Sequence, residues 1–201
     1  MGKLSQFLKK LKKSKKLIRM TIVGDGAVGK TTLVQALIQK TTNYGKKSIE
    51  YEAVNNKAIT RTPFMEIETW NYKDLIFQCY DLAGQRIPGT HPLDLMRKQV
   101  TQSIDIYIFV FSIDRYESFE NLNSWIQLLD FNDQNTNGNT GLVLVGNKID
   151  LEGNISNELV QSIVGKDKLF QTYVETCSLD GRGIDNLLEE IATIGRNLLN
   201  N

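Results

Sequence analysis

Cysteine, histidine and proline are all scarce in this 201-residue chain, with two, one and three copies. Two cysteines, Cys79 and Cys177, are too few for a disulfide framework, and reduced thiols in a cytoplasmic protein are expected. A single histidine, His91, excludes a histidine-rich metal centre. Read as a lone exposed side chain, it is assigned no role. No apolar run is long enough to span a bilayer. The lysine-rich start lacks the apolar core of a secretory signal, so none is expected. The residues at the C-terminal end hold no cysteine, so prenylation is not expected. Acidic residues are absent from positions 1–19, which carry eight of the 24 basic ones. The remainder holds 16 basic and 23 acidic residues, a net of −7 beneath an overall +1. A basic tail on an acidic body points to an anionic partner for the tail.

Apolar and amphipathic stretches alternate along the rest of the chain. Strands are expected over residues 17–23, 64–70, 75–80, 106–112, 142–145 and 170–174, with helices over 31–38, 118–129, 159–164 and 184–199. Residues 71–74 read as a hairpin turn. Residues 40–61 lack any clear period and read as a long, functional loop, with a short element around 50–54. The alternation predicts an α/β fold, an open sheet with helices on both faces.

Between the first strand and helix stands Gly24-Asp25-Gly26-Ala27-Val28-Gly29-Lys30-Thr31, which fits G-x-x-x-x-G-K-[ST]. Glycines let the backbone bring N–H groups against phosphate, and the helix N-terminus attracts anions. Lys30 is expected over the β- and γ-phosphates, with the Thr31 hydroxyl on Mg²⁺. Chance occurrence in an ordinary loop is the competing explanation, which the strand–turn–helix context opposes.

Three further stretches each follow an expected strand. In Asp81-Leu82-Ala83-Gly84-Gln85, Asp81 can hold Mg²⁺, the Gly84 N–H can meet a γ-phosphate oxygen, and Gln85 can orient an attacking water. In Asn147-Lys148-Ile149-Asp150, the Asp150 carboxylate can accept two hydrogen bonds from the edge of guanine. Adenine lacks that donor pair and would leave a buried Asp150 unpaired, which selects against ATP. Lys148 is expected to lie along the base, and Asn147 to tie this loop to the phosphate loop. In Glu175-Thr176-Cys177-Ser178-Leu179, backbone N–H groups, chiefly that of Ser178, can meet the guanine carbonyl oxygen. Taken alone the first and third are weak; a turn is the competing reading of the first two, and Cys177 can be a core thiol.

Together, in this order, the four motifs resemble the Ras superfamily of small GTPases over roughly residues 17–199. The resemblance implies a P-loop NTPase G domain over residues 17–201: a six-stranded, mostly parallel sheet with five helices on its two faces. It also implies GTP and GDP as ligands, Mg²⁺ as cofactor, and slow hydrolysis accelerated by partners. The nucleotide contacts implied are Asp25, Gly26, Ala27, Val28, Gly29, Lys30, Thr31, Thr32, Thr62, Gly84, Asn147, Lys148, Asp150, Cys177, Ser178 and Leu179. The metal ligands implied are Thr31, Thr62 and Asp81. Effector, exchange and GTPase-activating proteins are the partners implied.

The branch is mixed. The spacing from Thr62 to Asp81, with Thr176-Cys177 and Gly181-Arg182-Gly183, is most similar to Arf-like GTPases. The phosphate loop and Asp114-Arg115-Tyr116-Glu117-Ser118-Phe119 look like Rho, Rab or Ras members, and Ala83 stands where Arf-like proteins have glycine. Switch I must supply a threonine for Mg²⁺ and the γ-phosphate. Thr62 fits by its distance to Asp81, with Thr60 as the alternative. Thr60-Arg61-Thr62-Pro63-Phe64 is also similar to the MglA-type polarity GTPases, in which an arginine before that threonine can serve as an internal finger. A solvated surface Arg61 is the competing reading. In switch II, Pro88 and Pro92 disfavour an early helix.

In residues 1–16, Leu4, Phe7, Leu8 and Leu11 fall on one helical face, with Lys3, Lys9, Lys10, Lys12 and Lys13 over much of the rest. A basic amphipathic helix suits reversible binding to an anionic membrane surface. A solvated tail or a nucleic-acid contact is the alternative. Gly2 stands where N-myristoylation needs it, but Gln6 replaces the Ser or Thr of that pattern.

Overall fold

A computed structural model describes residues 16–42, 62–85, 89–101, 103–129, 140–165 and 168–200. Six strands form one sheet: β1 (Lys16–Val23), β2 (Met65–Tyr72), β3 (Leu75–Leu82), β4 (Ile106–Ser112), β5 (Gly141–Asn147) and β6 (Thr172–Thr176). Their spatial order is β2-β3-β1-β4-β5-β6. Only β2 and β3 run antiparallel; the other pairs are parallel. The tertiary fold is therefore the α/β sheet that the alternation predicts.

The strands β4 and β5 are buried along their whole length, which is why they read as unbroken apolar runs. Alternate residues of β4 serve opposite faces. Ile106, Ile108 and Val110 enter a core beneath the helices α1 (Lys30–Thr42) and α7 (Ile184–Leu198). Tyr107, Phe109 and Phe111 enter a second core with Trp125 and Leu129 of α5 (Leu122–Leu129) and Val160 of α6 (Asn157–Gln161). Period-2 alternation thus gives each face its own apolar layer.

Several bounds differ from the expectations. Lys16, assigned to the tail, opens β1 and pairs with Leu75. The first helix runs on past residue 38, and the hydroxyls of Thr41 and Thr42 donate back to the Ile38 carbonyl at its end. The hairpin turn is the two residues Lys73-Asp74, with Lys73 at φ 53°; positive φ matches the twist of the flanking strands. The expected helix over 118–129 breaks at Asn121 into α4 (Tyr116–Glu120) and α5. The last strand lies two residues beyond 170–174, and Phe170 forms an isolated bridge with Val164 instead. The short helix spans Asn157–Gln161, because Ser156 caps it by accepting from the Leu159 N–H. Seven helices are described where the resemblance implies five. Two of them, α2 (Pro92–Leu95) and α3 (Arg97–Thr101), are short turns after β3.

A candidate nucleotide and magnesium site

The parallel strands β1, β3, β4, β5 and β6 present their C-terminal ends to one edge, where ligands of such sheets bind. The phosphate loop leaves β1 there and enters α1. Ala27 and Gly29 take positive φ, 63° and 93°. A Cβ on Gly29 would lie 2.5 Å from Asn147 Nδ2, so only glycine fits this approach. The Gly29 carbonyl accepts from the Leu33 N–H and starts the helix, whose first N–H groups are left for a ligand.

Lys30 lies almost wholly inside this loop. Its Nζ donates to the carbonyls of Gly24 (2.8 Å) and Asp25 (2.9 Å). Burial lowers its pKa to about 8, against the opposing charges of Asp81 and Asp25. A buried cation satisfied only by carbonyls is one that a polyanion would stabilise.

Three residues far apart in sequence meet beside it. The Thr31 hydroxyl donates to Asp81 Oδ2 (2.5 Å), Thr62 Oγ1 lies 2.8 Å from Thr31 Oγ1, and Thr62 donates to the same carboxylate oxygen at 3.3 Å. The other oxygen, Asp81 Oδ1, is buried with no hydrogen-bond partner. Burial pushes the Asp81 carboxyl up, while the Thr31 hydrogen bond and the Lys30 charge act the other way. Two hydroxyls and a carboxylate with a buried, unused oxygen form a hard, all-oxygen donor set of the kind Mg²⁺ takes. The arrangement fits the ion.

A cavity of about 920 Å³ opens over these groups, and Thr32, Gly84 and Gln85 also line it. Gln85 is exposed on its wall. A Cβ on Gly84 would stand 2.3 Å from Lys30 Nζ and 2.5 Å from the Asp25 carbonyl oxygen, so the chain passes too close there for any side chain.

The two stretches expected to receive the base do not line that cavity, and one residue joins them to it. Asn147 Nδ2 donates to the Val28 carbonyl (2.9 Å), and its Oδ1 accepts from Thr176 Oγ1 (3.0 Å) and Ser178 Oγ (2.9 Å). Three loops are thus pinned by one buried amide. Asp150, expected to be buried, is exposed, because β5 ends at Asn147 and the turn beyond carries it past the sheet. Cys177 Sγ donates to Asp150 Oδ1 at 3.2 Å, and burial raises that thiol's pKa. Cys177 is thus a buried thiol that also holds the exposed carboxylate in place. Lys148 adopts φ 68°, and Leu179 is largely exposed.

Four residues of this region escaped sequence reasoning. Trp125 Nε1 and Asn121 Nδ2 donate to the two oxygens of Asp25 (3.0 and 2.8 Å), and Arg115 Nη2 donates to the Gly26 carbonyl (2.8 Å). Only tertiary contact brings them there. The fourth, His91, is buried rather than exposed. Its Nδ1 accepts from the Leu93 N–H (3.2 Å), which leaves Nε2–H to donate to the Ala83 carbonyl (2.7 Å), and its ring lies 5.5 Å from Trp125. It caps α2, and Pro92 stands in that helix's first turn, where a missing N–H costs nothing. The expectation that the prolines disfavour an early helix therefore fails at Pro92. Thr60, Arg61, Pro88, the tail over 1–15 and the loop over 43–61 lie outside the described residues.

The sequence model of the Ras family matches residues 19–196. The chain belongs to the Ras family. Membership in this family of small GTPases implies GTP binding and hydrolysis. The chain is 27% identical to "Ras-related protein Rab-28" of Caenorhabditis elegans over 161 residues, 79% of this chain and 60% of that protein. It is 28% identical to "Ras-related protein Rab7" of Pisum sativum, over 88% of this chain and 81% of the relative. A Rab7 of Prunus armeniaca is 29% identical over 92% and 83%. These relatives carry Rab names; the Arf-like affinity read from the sequence gains no support from them. No helix among the described residues is long and apolar enough to cross a membrane.

Proposed function

We propose that the chain is a GTPase switch that binds GTP and GDP with Mg²⁺ and hydrolyses GTP to GDP and phosphate. The observation that carries this reading is the meeting of Thr31, Thr62 and Asp81 around the unpartnered Asp81 Oδ1. Bound there, Mg²⁺ would neutralise charge on the β- and γ-phosphates. Lys30 and the phosphate-loop N–H groups hold the triphosphate, with Asp25 to Thr32 surrounding it. Asn147, Lys148 and Asp150, together with Cys177, Ser178 and Leu179, receive the guanine. Gln85 orients a water from the cavity wall. That water attacks Pγ, the bond from Pγ to the β-phosphate oxygen breaks, GDP leaves with the electron pair, and the water's protons end on the released phosphate. Thr62 follows the long loop 43–61, so its bond to the site makes that loop's position depend on the nucleotide.

Residues 1–15 are read as a reversible anchor on an anionic membrane, from their apolar face and lysines. The branch is read as Rab-like over the domain, with an Arf-like tail and Thr62–Asp81 spacing. Effector, exchange and activating proteins are expected as for any family member.

The test is single-turnover GTP hydrolysis with Mg²⁺ by the full chain and by Gln85→Leu. The variant is expected to be slower by about tenfold or more, since it removes the water-orienting amide. Equal rates would remove Gln85 from the reaction, and no hydrolysis by the parent chain would leave a binding module without the switch's timer. Liposome flotation of the chain lacking residues 2–15 tests the anchor; undiminished binding to anionic vesicles would refute it.

A further inference from the structure

One cation of the cavity has no part in the reading above. Arg115 follows β4, and its backbone is fixed on both sides. Its N–H donates to the Ser112 carbonyl (3.0 Å), and its own carbonyl accepts from the N–H (3.0 Å) and hydroxyl (2.7 Å) of the buried Ser118. From this fixed base the half-buried side chain crosses to the phosphate loop and meets the Gly26 carbonyl. It lines the same cavity as Lys30, Thr62 and Gln85, and its charge is felt at Lys30, where it opposes protonation. Among the described residues it forms no ion pair with a carboxylate. Gln85 comes to the same glycine: its Cγ stands 3.2 Å from where a Gly26 Cβ would be. Gly26 thus has both the Arg115 guanidinium and the Gln85 side chain beside it.

A strut for one carbonyl needs a single neutral donor. A guanidinium brings five N–H groups and a fixed positive charge in a planar fork that matches phosphate oxygens. Two cations without a carboxylate partner in one cavity repel each other unless an anion joins them. In the transition state negative charge is spread over the three equatorial oxygens of the transferring γ-phosphoryl group and the leaving oxygen in line with it, and a preorganised cation beside them lowers the barrier.

We propose that Arg115 is a catalytic residue of the hydrolysis, an arginine supplied by the chain itself to the oxygens of the transferring γ-phosphoryl group. The proposal rests on the GTPase reading. It also assigns to Arg115 the internal-finger role that the sequence pattern offers to Arg61.

The experiment is single-turnover hydrolysis of GTP with Mg²⁺ by the full chain and no other protein. It compares the parent with Arg115→Ala, Arg115→Gln, Arg115→Lys and Arg61→Ala, with GDP affinity and thermal melting measured for each. Arg115→Gln keeps a donor for the Gly26 carbonyl but no charge. It is expected to melt and bind GDP like the parent and to hydrolyse GTP about a thousandfold more slowly, the lower end of what an arginine finger supplies. Arg115→Ala should be at least as slow, Arg115→Lys intermediate, and Arg61→Ala unchanged. A parent-like rate in Arg115→Gln overturns the proposal, as does a rate loss matched by an equal loss of GDP affinity. A slow Arg61→Ala beside a normal Arg115→Gln moves the role to Arg61 and overturns it too. A parent chain that binds GTP without turning it over refutes the GTPase reading itself, a result distinct from all of these.

Discussion

The indole N–H of Trp125, on α5, donates to Asp25 Oδ1 over 3.0 Å and joins that helix to the phosphate loop 100 residues earlier. Asn121 holds the other carboxylate oxygen, and the Trp125 ring lies against His91, whose Nε2 holds the Ala83 carbonyl beside Gly84. Phosphate loop and switch II therefore lean on one aromatic side chain. Trp125→Phe keeps much of the apolar volume and removes the donor. The loss of a hydrogen bond to a charged group, about 1.5–3 kcal/mol, should loosen the loop. Faster GDP release in a stopped-flow displacement assay is expected, and an unchanged release rate would show the contact to be idle.

Gly84 is the point where switch II comes closest to Lys30. The Cβ of Gly84→Ala would meet both the flexible Lys30 Nζ and the rigid Asp25 carbonyl, so the switch II backbone must back away. GTP should lose the Gly84 N–H contact that GDP does not use. GTP affinity is expected to fall by roughly tenfold, the worth of one charge-assisted hydrogen bond, with GDP affinity close to the parent's. Competitive displacement of a fluorescent GDP by each nucleotide reads the difference. Equal losses for both would place the damage in the loop as a whole.

The closing helix α7 is fastened to the β2–β3 turn by two acidic groups. Glu189 accepts from Lys73 and from Tyr72 Oη, and Asp74 accepts from Arg196. The hydrogen bond from Lys73 holds the Glu189 carboxyl below its usual range, and that from Arg196 does the same for Asp74. A folded-state pKa below the unfolded one gives stability that is present above the unfolded value and is lost as pH falls through the folded one. Both groups are solvent-exposed, so the effect is small. The melting temperature of the parent should exceed that of Glu189→Gln by a constant margin above about pH 5, and the margin should close below about pH 4. A margin that persists in acid would assign the effect to packing.

Much of this was legible in the sequence because it is local. The β-branched run before Gly24, the glycines of the phosphate loop and the fully apolar 106–112 stretch state their conformations within a few residues. Asp81, Asn147 and Asp150 were placed by following strands, since each sits where a parallel strand ends. Thr62 was legible from its spacing to Asp81. His91 was misread, because nothing near it in sequence says that Ala83 and Trp125 will enclose it. The exposure of Asp150 was illegible for a related reason: whether a carboxylate past a strand end is covered depends on what the chain packs around that turn.

The sequence by itself determined the class of ligand, the order of the motifs and the two-faced sheet, because each follows from short-range periodicity and backbone chemistry. Only the tertiary structure decided that Asp81 keeps one buried oxygen unused, that Asn147 pins three loops, and that Arg115 stands at Gly26. Those outcomes depend on distances across the fold between residues 19 to 119 positions apart, which no local pattern encodes.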